Sequence, residues 1–131
     1  MKLMLCFDGS DEAMEGLNVA QKHAKAFNGE VLVVTSVLDE YKFNTEPFEQ
    51  RQMEAQAFLE ESQIPCKKIL SIRPLSVKVG EDLVNIAARE NVDEIIVGVR
   101  NKSKLGKLVF GSDAQYLILN AHCPVITVSI K

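Results

Sequence analysis

The sequence is short of cysteine. Cys6, Cys66 and Cys123 make an odd set of three with no C-x-x-C pair. That argues against a disulfide framework or a zinc cluster and fits a reducing cytosol, so a cytoplasmic location is expected. No stretch reaches the ~18 consecutive apolar residues of a membrane span. The opening run Leu3–Phe7 follows Lys2 in the manner of a signal peptide, but Asp8 ends it early and no small-residue cleavage site follows, so it reads as a strand. Positive charge is in deficit: 15 Lys and Arg against 18 Asp and Glu leave a net charge of −3. Nothing general therefore draws the chain to nucleic acid or to an anionic membrane. Internal repeats, low-complexity tracts and linkers are absent. Neither His23 nor His122 has a serine, cysteine or metal-ligating partner at useful spacing, so no nucleophile–base pair is visible and no catalytic residue is assigned. His23 is expected at the boundary of an apolar stripe and His122 in a structural role.

What is present is apolar patterning. Of 131 residues, 47% are hydrophobic and 25% charged, enough for one well-packed domain over residues 1–131. Cys6 and the four methionines are expected in the core. Leu3–Phe7 is continuously apolar, as befits a strand buried on both faces. Asp8-Gly9-Ser10 turns the chain, and Ser10 caps a helix whose stripe runs through Ala13, Leu17, Ala20, Ala24 and Phe27 to a stop at Asn28-Gly29. Val31–Val37 is a β-branched strand. Thr45 and Pro47 open a second helix that Pro65 closes, and Cys66–Ile72 is a third strand whose Lys67 and Lys68 mark a sheet edge. A third helix spans about Gly80–Glu90, with Asn91 as its stop. Glu94–Gly98 is the fourth strand, Ser112 caps a fourth helix to about Asn120, and Val125–Ile130 is the fifth strand.

Strands alternating with helices predict a doubly wound parallel α/β sheet with helices on both faces. The first and fourth strands are the most apolar and belong in the centre, and the third and fifth belong at the edges. The order is therefore 3-2-1-4-5. Ligands in such a sheet bind beyond the carboxyl ends of the strands where the order reverses, here between the first and fourth. Asp8-Gly9-Ser10 and the segment from Gly98 to Ser112 face that point. The segment contains Gly98, Gly106 and Gly111, four basic residues (Arg100, Lys102, Lys104 and Lys107) and no acidic one. Glycines permit close approach and positive φ, and Gly111-Ser112 stands at a helix start, where free N–H groups attract anions. On the residues alone, a polyphosphate site and a merely solvated lysine loop are about equally supported.

The spacing of Gly98, Asn101 and Gly111-Ser112 resembles the nucleotide signature of the universal stress protein family, G-x2-G-x9-G-[S/T]. Asp8-Gly9-Ser10 is similar to that family's first loop, and His122-Cys123-Pro124-Val125-Ile126-Thr127-Val128 resembles its last strand. The resemblance spans the whole chain and implies a Rossmann-like fold binding ATP, ADP or AMP. It implies that Cys6, Phe7 and Ser36 line the adenine pocket through backbone groups and that Asp8 meets the ribose or adenine. Val97 and Gly98 would pass beneath the ribose. Asn101, Gly111, Ser112, Asp113 and Ala114 would surround the phosphates with Arg100 nearby, and a divalent ion such as Mg2+ would neutralise them. Asn101 replaces a glycine of the signature and is the residue best able to keep a positive φ. Asp113 puts a carboxylate at the helix start, where it competes with phosphate and favours a less charged nucleotide.

The expected role is a nucleotide-binding regulatory module, with a nucleotide-free interaction module and a slow ATPase as rivals. The strand Val125–Ile130 carries no charge to guard its edge, which points to pairing with a second copy across a two-fold axis. The family resemblance implies the same homodimer. An unidentified protein partner would read the nucleotide-dependent surface.

Overall fold

The computed structural model describes residues 1–100 and 111–130. Its strands are β1 (Lys2–Cys6), β2 (Glu30–Leu38), β3 (Cys66–Arg73), β4 (Glu94–Gly98) and β5 (Val125–Val128). Its helices are α1 (Asp11–Phe27), α2 (Glu46–Glu61), α3 (Val79–Arg89) and α4 (Ser112–Asn120). The strands form one five-stranded sheet in the order β3-β2-β1-β4-β5, every pair parallel. This is the expected order, with lysine-bearing β3 and half-polar β5 at the edges.

Side-chain alternation along the strands builds a core on each face. Leu3 and Leu5 of β1, Phe7 just after it, and Val31 and Val33 of β2 pack against Ala13, Leu17, Ala20 and Ala24 of α1 and Ala55 and Leu59 of α2. The intervening residues Met4, Cys6, Leu32, Val34, Ile95 and Val97 pack against Leu83, Ile86 and Ala87 of α3 and Ala114 and Leu117 of α4. Leu3, Met4, Leu5, Ile95 and Ile96 are fully buried. Burial of a large aliphatic side chain stabilises by ~1.5–3 kcal/mol, so β1 and β4 anchor the sheet.

Local signals explain most boundaries. Ser10 Oγ accepts a hydrogen bond from Ala13 N at 3.1 Å, with Asp11 and Glu12 in the first turn of α1. Asn28 ends α1 at φ 53°, and Asn91 follows α3 at φ 51°. Four expectations need correction. The N-cap of α4 is Gly111 rather than Ser112, which is already helical. β5 ends at Val128 rather than Ile130, because its ladder with β4 runs out at Gly98. Phe27, in the last turn of α1, lies beyond the sheet and is 56% exposed. Only Met4 among the methionines is buried, since Met1 precedes the first strand and Met14 and Met53 sit on outward helix faces.

One buried polar chain crosses three strands and a helix. Thr35 Oγ1 donates to the Phe7 carbonyl at 2.6 Å and accepts from Gln52 Nε2 at 3.0 Å. The same amide nitrogen donates to the Ile69 carbonyl at 2.8 Å. Gln52 falls on the inward stripe of α2 with Ala55 and Leu59. A buried polar group is tolerated when satisfied, and its loss strands its partners. Gln52→Ala is expected to lower stability by ~1–3 kcal/mol, read as a lower urea midpoint at unchanged slope. A midpoint equal to that of the natural protein would show that the chain contributes nothing.

Candidate functional site

At the carboxyl ends of β1 and β4 the chain leaves for opposite faces, to α1 from β1 and towards α4 from β4, and the divergence opens a cleft. Its volume is about 340 Å3. Cys6, Phe7, Asp8, Ser36, Val97, Gly98, Arg100, Gly111, Asp113 and Ala114 all line it, so residues far apart in sequence meet where the pattern placed them. Ser112 does not: it is exposed and absent from the lining. Asn101 and the basic stretch Lys102–Lys107 lie outside the described residues.

The turn after β1 is held from two sides. Phe7 N bonds to Val34 O at 2.8 Å, extending the β1–β2 ladder. Asp8 Oδ1 accepts from Ser10 N at 2.9 Å, so its carboxylate shapes the turn at the rim. Gly9 has φ 80°, and a Cβ there would fall 2.5 Å from the Arg51 side chain. Arg51, from α2, lies across the turn and donates from Nη1 to Asp8 O at 3.5 Å.

Gly98 is required for a different reason from the one expected. Neither Gly98 nor Gly111 has a positive φ; Gly9 is the described glycine that does. A Cβ at Gly98 would lie 2.6 Å from the backbone of Glu12, so the missing side chain lets α1 seat against the end of β4. Glu12 Oε1 then stands 3.5 Å from Arg100 Nε. The Arg100 side chain is 63% exposed, so this pair orients the guanidinium more than it stabilises the fold.

The start of α4 is open. Among the described residues no side chain caps it, which leaves its first-turn N–H groups for other partners. The Asp113 carboxylate is turned onto α3, where Oδ1 accepts from Gly80 N at 3.3 Å. Gly80 makes that approach possible, since a Cβ there would meet Tyr116 at 2.9 Å and the Asp113 backbone at 3.1 Å.

Ser10 and Val99 also line the cleft, from the two segments expected to face it, whereas sequence reasoning missed Ala13, Val34, Thr35, Val79, Leu83 and Leu117. It also missed Asp82, whose Oδ2 accepts from Ser36 Oγ at 2.6 Å. One signal was legible. Thr35 and Ser36 interrupt the apolar run of β2 near its carboxyl end, where a parallel sheet exposes polar groups to a ligand.

The thiols are not poised as nucleophiles. Burial, reinforced by Asp8, pushes the Cys6 thiol up to about 12. Burial with Glu60 nearby raises Cys66 to about 11, Lys68 opposing. Burial and then Asp93 and Glu94 raise Cys123. His23 Nδ1 lies 2.8 Å from Glu94 Oε1. His122 Nε2 lies 3.0 Å from the Val92 carbonyl. Among the described residues, no group of three or more His, Cys, Asp or Glu side chains could hold a metal ion, and no helix is long and apolar enough to cross a membrane.

Fold and cleft together define a doubly wound α/β domain of the kind that takes its ligand at the reversal of strand order. The chain belongs to the universal stress protein family, whose sequence pattern matches residues 1–129, as the resemblance in its motifs implied. It is 30% identical over 138 residues to a universal stress protein of Methanocaldococcus jannaschii, covering 97% of this chain and 81% of that one. The universal stress protein of Archaeoglobus fulgidus solved with dAMP superimposes with a TM-score of 0.76 at 23% identity, covering 98% of this chain and 97% of the other. A universal stress protein solved with cAMP superimposes with a TM-score of 0.80 at 18% identity, covering 100% of this chain and 98% of the other.

Proposed function

We propose that the cleft binds an adenine nucleotide and that the protein is a cytoplasmic stress-response module that works by binding rather than by turnover. The observation that carries this reading is the convergence on one cleft of the β1 turn, the β2 and β4 ends and the start of α4, which no side chain among the described residues caps. Gly111, Asp113 and Ala114 bring a helix start to the cleft, and N–H groups at a helix start suit a phosphate. The apolar side chains of Val34, Val79 and Leu83 in the lining suit a base. The structural neighbours solved with dAMP and cAMP support a ligand of the adenosine monophosphate type. With Asp8 and Asp113 at the cleft, AMP is favoured over ATP. A Mg2+ ion would accompany ATP or ADP mainly through the phosphate oxygens and water.

Slow or absent hydrolysis is part of the proposal, because the sequence offers no evident general base or arginine finger. Calorimetric titration is expected to give heat with AMP and with ATP plus Mg2+. Gly111→Val is expected to weaken binding by at least about tenfold while the fold persists, because a Cβ at Gly111 meets nothing within 4 Å among the described residues. Absence of heat and of a thermal shift at millimolar nucleotide would favour the second reading, a nucleotide-free interaction module. Its supporting observations are the outward Ser112 and the carboxylate of Asp113 at the phosphate end.

A homodimer through β5 is part of the proposal. β5 is a sheet edge, and Ile130 beyond it is 48% exposed. Ile118 and Leu119 on adjacent α4 are 45% and 80% exposed, and unguarded edges of this kind invite pairing. Sedimentation equilibrium is expected to show a dimer that Ile126→Lys converts to monomer. A natural protein that sediments as a monomer at high micromolar concentration would refute the pairing.

A further inference from the structure

The connection from β2 to α2 concentrates two things that the rest of the chain spreads out. Three aromatic side chains, Tyr41, Phe43 and Phe48, fall within it or just beyond it. Residues 39–49 also carry four exposed carboxylates, Asp39, Glu40, Glu46 and Glu49, against one lysine, Lys42. Their net charge of −3 equals that of the whole chain, so the remainder balances.

The segment is held by its own contacts. One 3-10 turn spans Asp39–Tyr41. Lys42 N donates to Asp39 O at 3.1 Å, Asn44 N to Tyr41 O at 2.8 Å and Phe48 N to Thr45 O at 3.0 Å. The Tyr41 ring packs edge-on against Phe48, with centroids 5.9 Å apart. These contacts leave Phe43 outside, 83% exposed, beside Tyr41 at 45%. Single exposed apolar residues need no explanation. An aromatic pair presented on a hydrogen-bonded turn offers a partner apolar area at little ordering cost.

Charge names the partner. Lys42 Nζ lies 3.8 Å from Asp39 Oδ1 and 5.2 Å from the centroid of the Phe43 ring. The chain's own lysine thus shows how this turn takes a cation, over the ring and beside a carboxylate. Among the described residues, Glu40, Glu46 and Glu49 pair with no cation. A guanidinium both stacks on an aromatic face and forks onto a carboxylate, so arginine fits this surface better than lysine.

We propose that the β2–α2 turn docks an arginine-rich polypeptide segment, with Phe43 as its anchor and Glu40, Glu46 and Glu49 as its counter-charges. Ser36 of the same strand lines the cleft, so the docked segment lies at the cleft's end of the sheet. The proposal does not depend on what the cleft binds.

The test titrates octa-arginine, with octa-glutamate as control, into the isotope-labelled protein at physiological salt. Saturable amide shifts at Asp39–Glu49 with octa-arginine, and none with octa-glutamate, are expected. Phe43→Ser keeps every charge and is expected to weaken octa-arginine at least about threefold, the scale of an exposed cation–π contact, at an unchanged urea midpoint. Glu46→Gln combined with Glu49→Gln is expected to weaken it further and to flatten its salt dependence. Octa-arginine that binds Phe43→Ser as it binds the natural protein would show attraction by charge alone and overturn the proposal. Shifts centred on another segment would overturn it too. So would a change in the sedimentation of Phe43→Ser without peptide, which would make the turn a contact between copies of this chain.

Discussion

Parallel pairing of β1 with β2 on one side and β4 on the other places every group in the cleft. β1 is buried on both faces, so the segments that follow β1 and β4 must cover opposite faces of the sheet. Their separation leaves a gap at the strand ends, and no packed side chain among the described residues closes it. The register that aligns Cys6 with Val34 and Val97 brings the ends of β1 and β4 to one level, with β2 running on to Leu38 beside them. The cleft therefore follows from the sheet, and the loops add its chemistry.

Two further constraints tune that gap. Gly98 lets α1 lie close against β4, which brings Glu12 beside Arg100. The Thr35–Gln52 chain holds the Phe7 carbonyl in place and ties α2 to the sheet behind the site. The result is a rim of backbone groups fixed by packing on both faces. Fixed groups of this kind need no reorganisation to take a ligand, which agrees with the proposed recognition role.

Much of this was legible in the sequence because its signals are local. The unbroken run Leu3–Phe7 and the lysines at 67 and 68 suffice to rank centre and edge, and Ser10, Asn28 and Asn91 mark helix ends through side-chain and backbone chemistry that needs no tertiary partner. The rest depends on contacts between distant segments. Gly98 looked like a positive-φ residue until its true neighbour, the backbone of Glu12, was known. Ser112 looked like a cap, but Gly111 takes that position and the serine turns outward. Asp82 gave no sign of its bond to Ser36, 46 residues away. Gln52 was half legible, a polar residue on an otherwise apolar stripe.

Backbone amide resonances of the labelled protein during an AMP titration test the central claim most directly, because they report which segments the ligand meets. Shifts concentrated at Cys6–Ser10, Thr35–Ser36, Val97–Arg100 and Gly111–Ala114, with the amino ends of the strands unmoved, are the predicted result. Saturable shifts clustered anywhere else would contradict it.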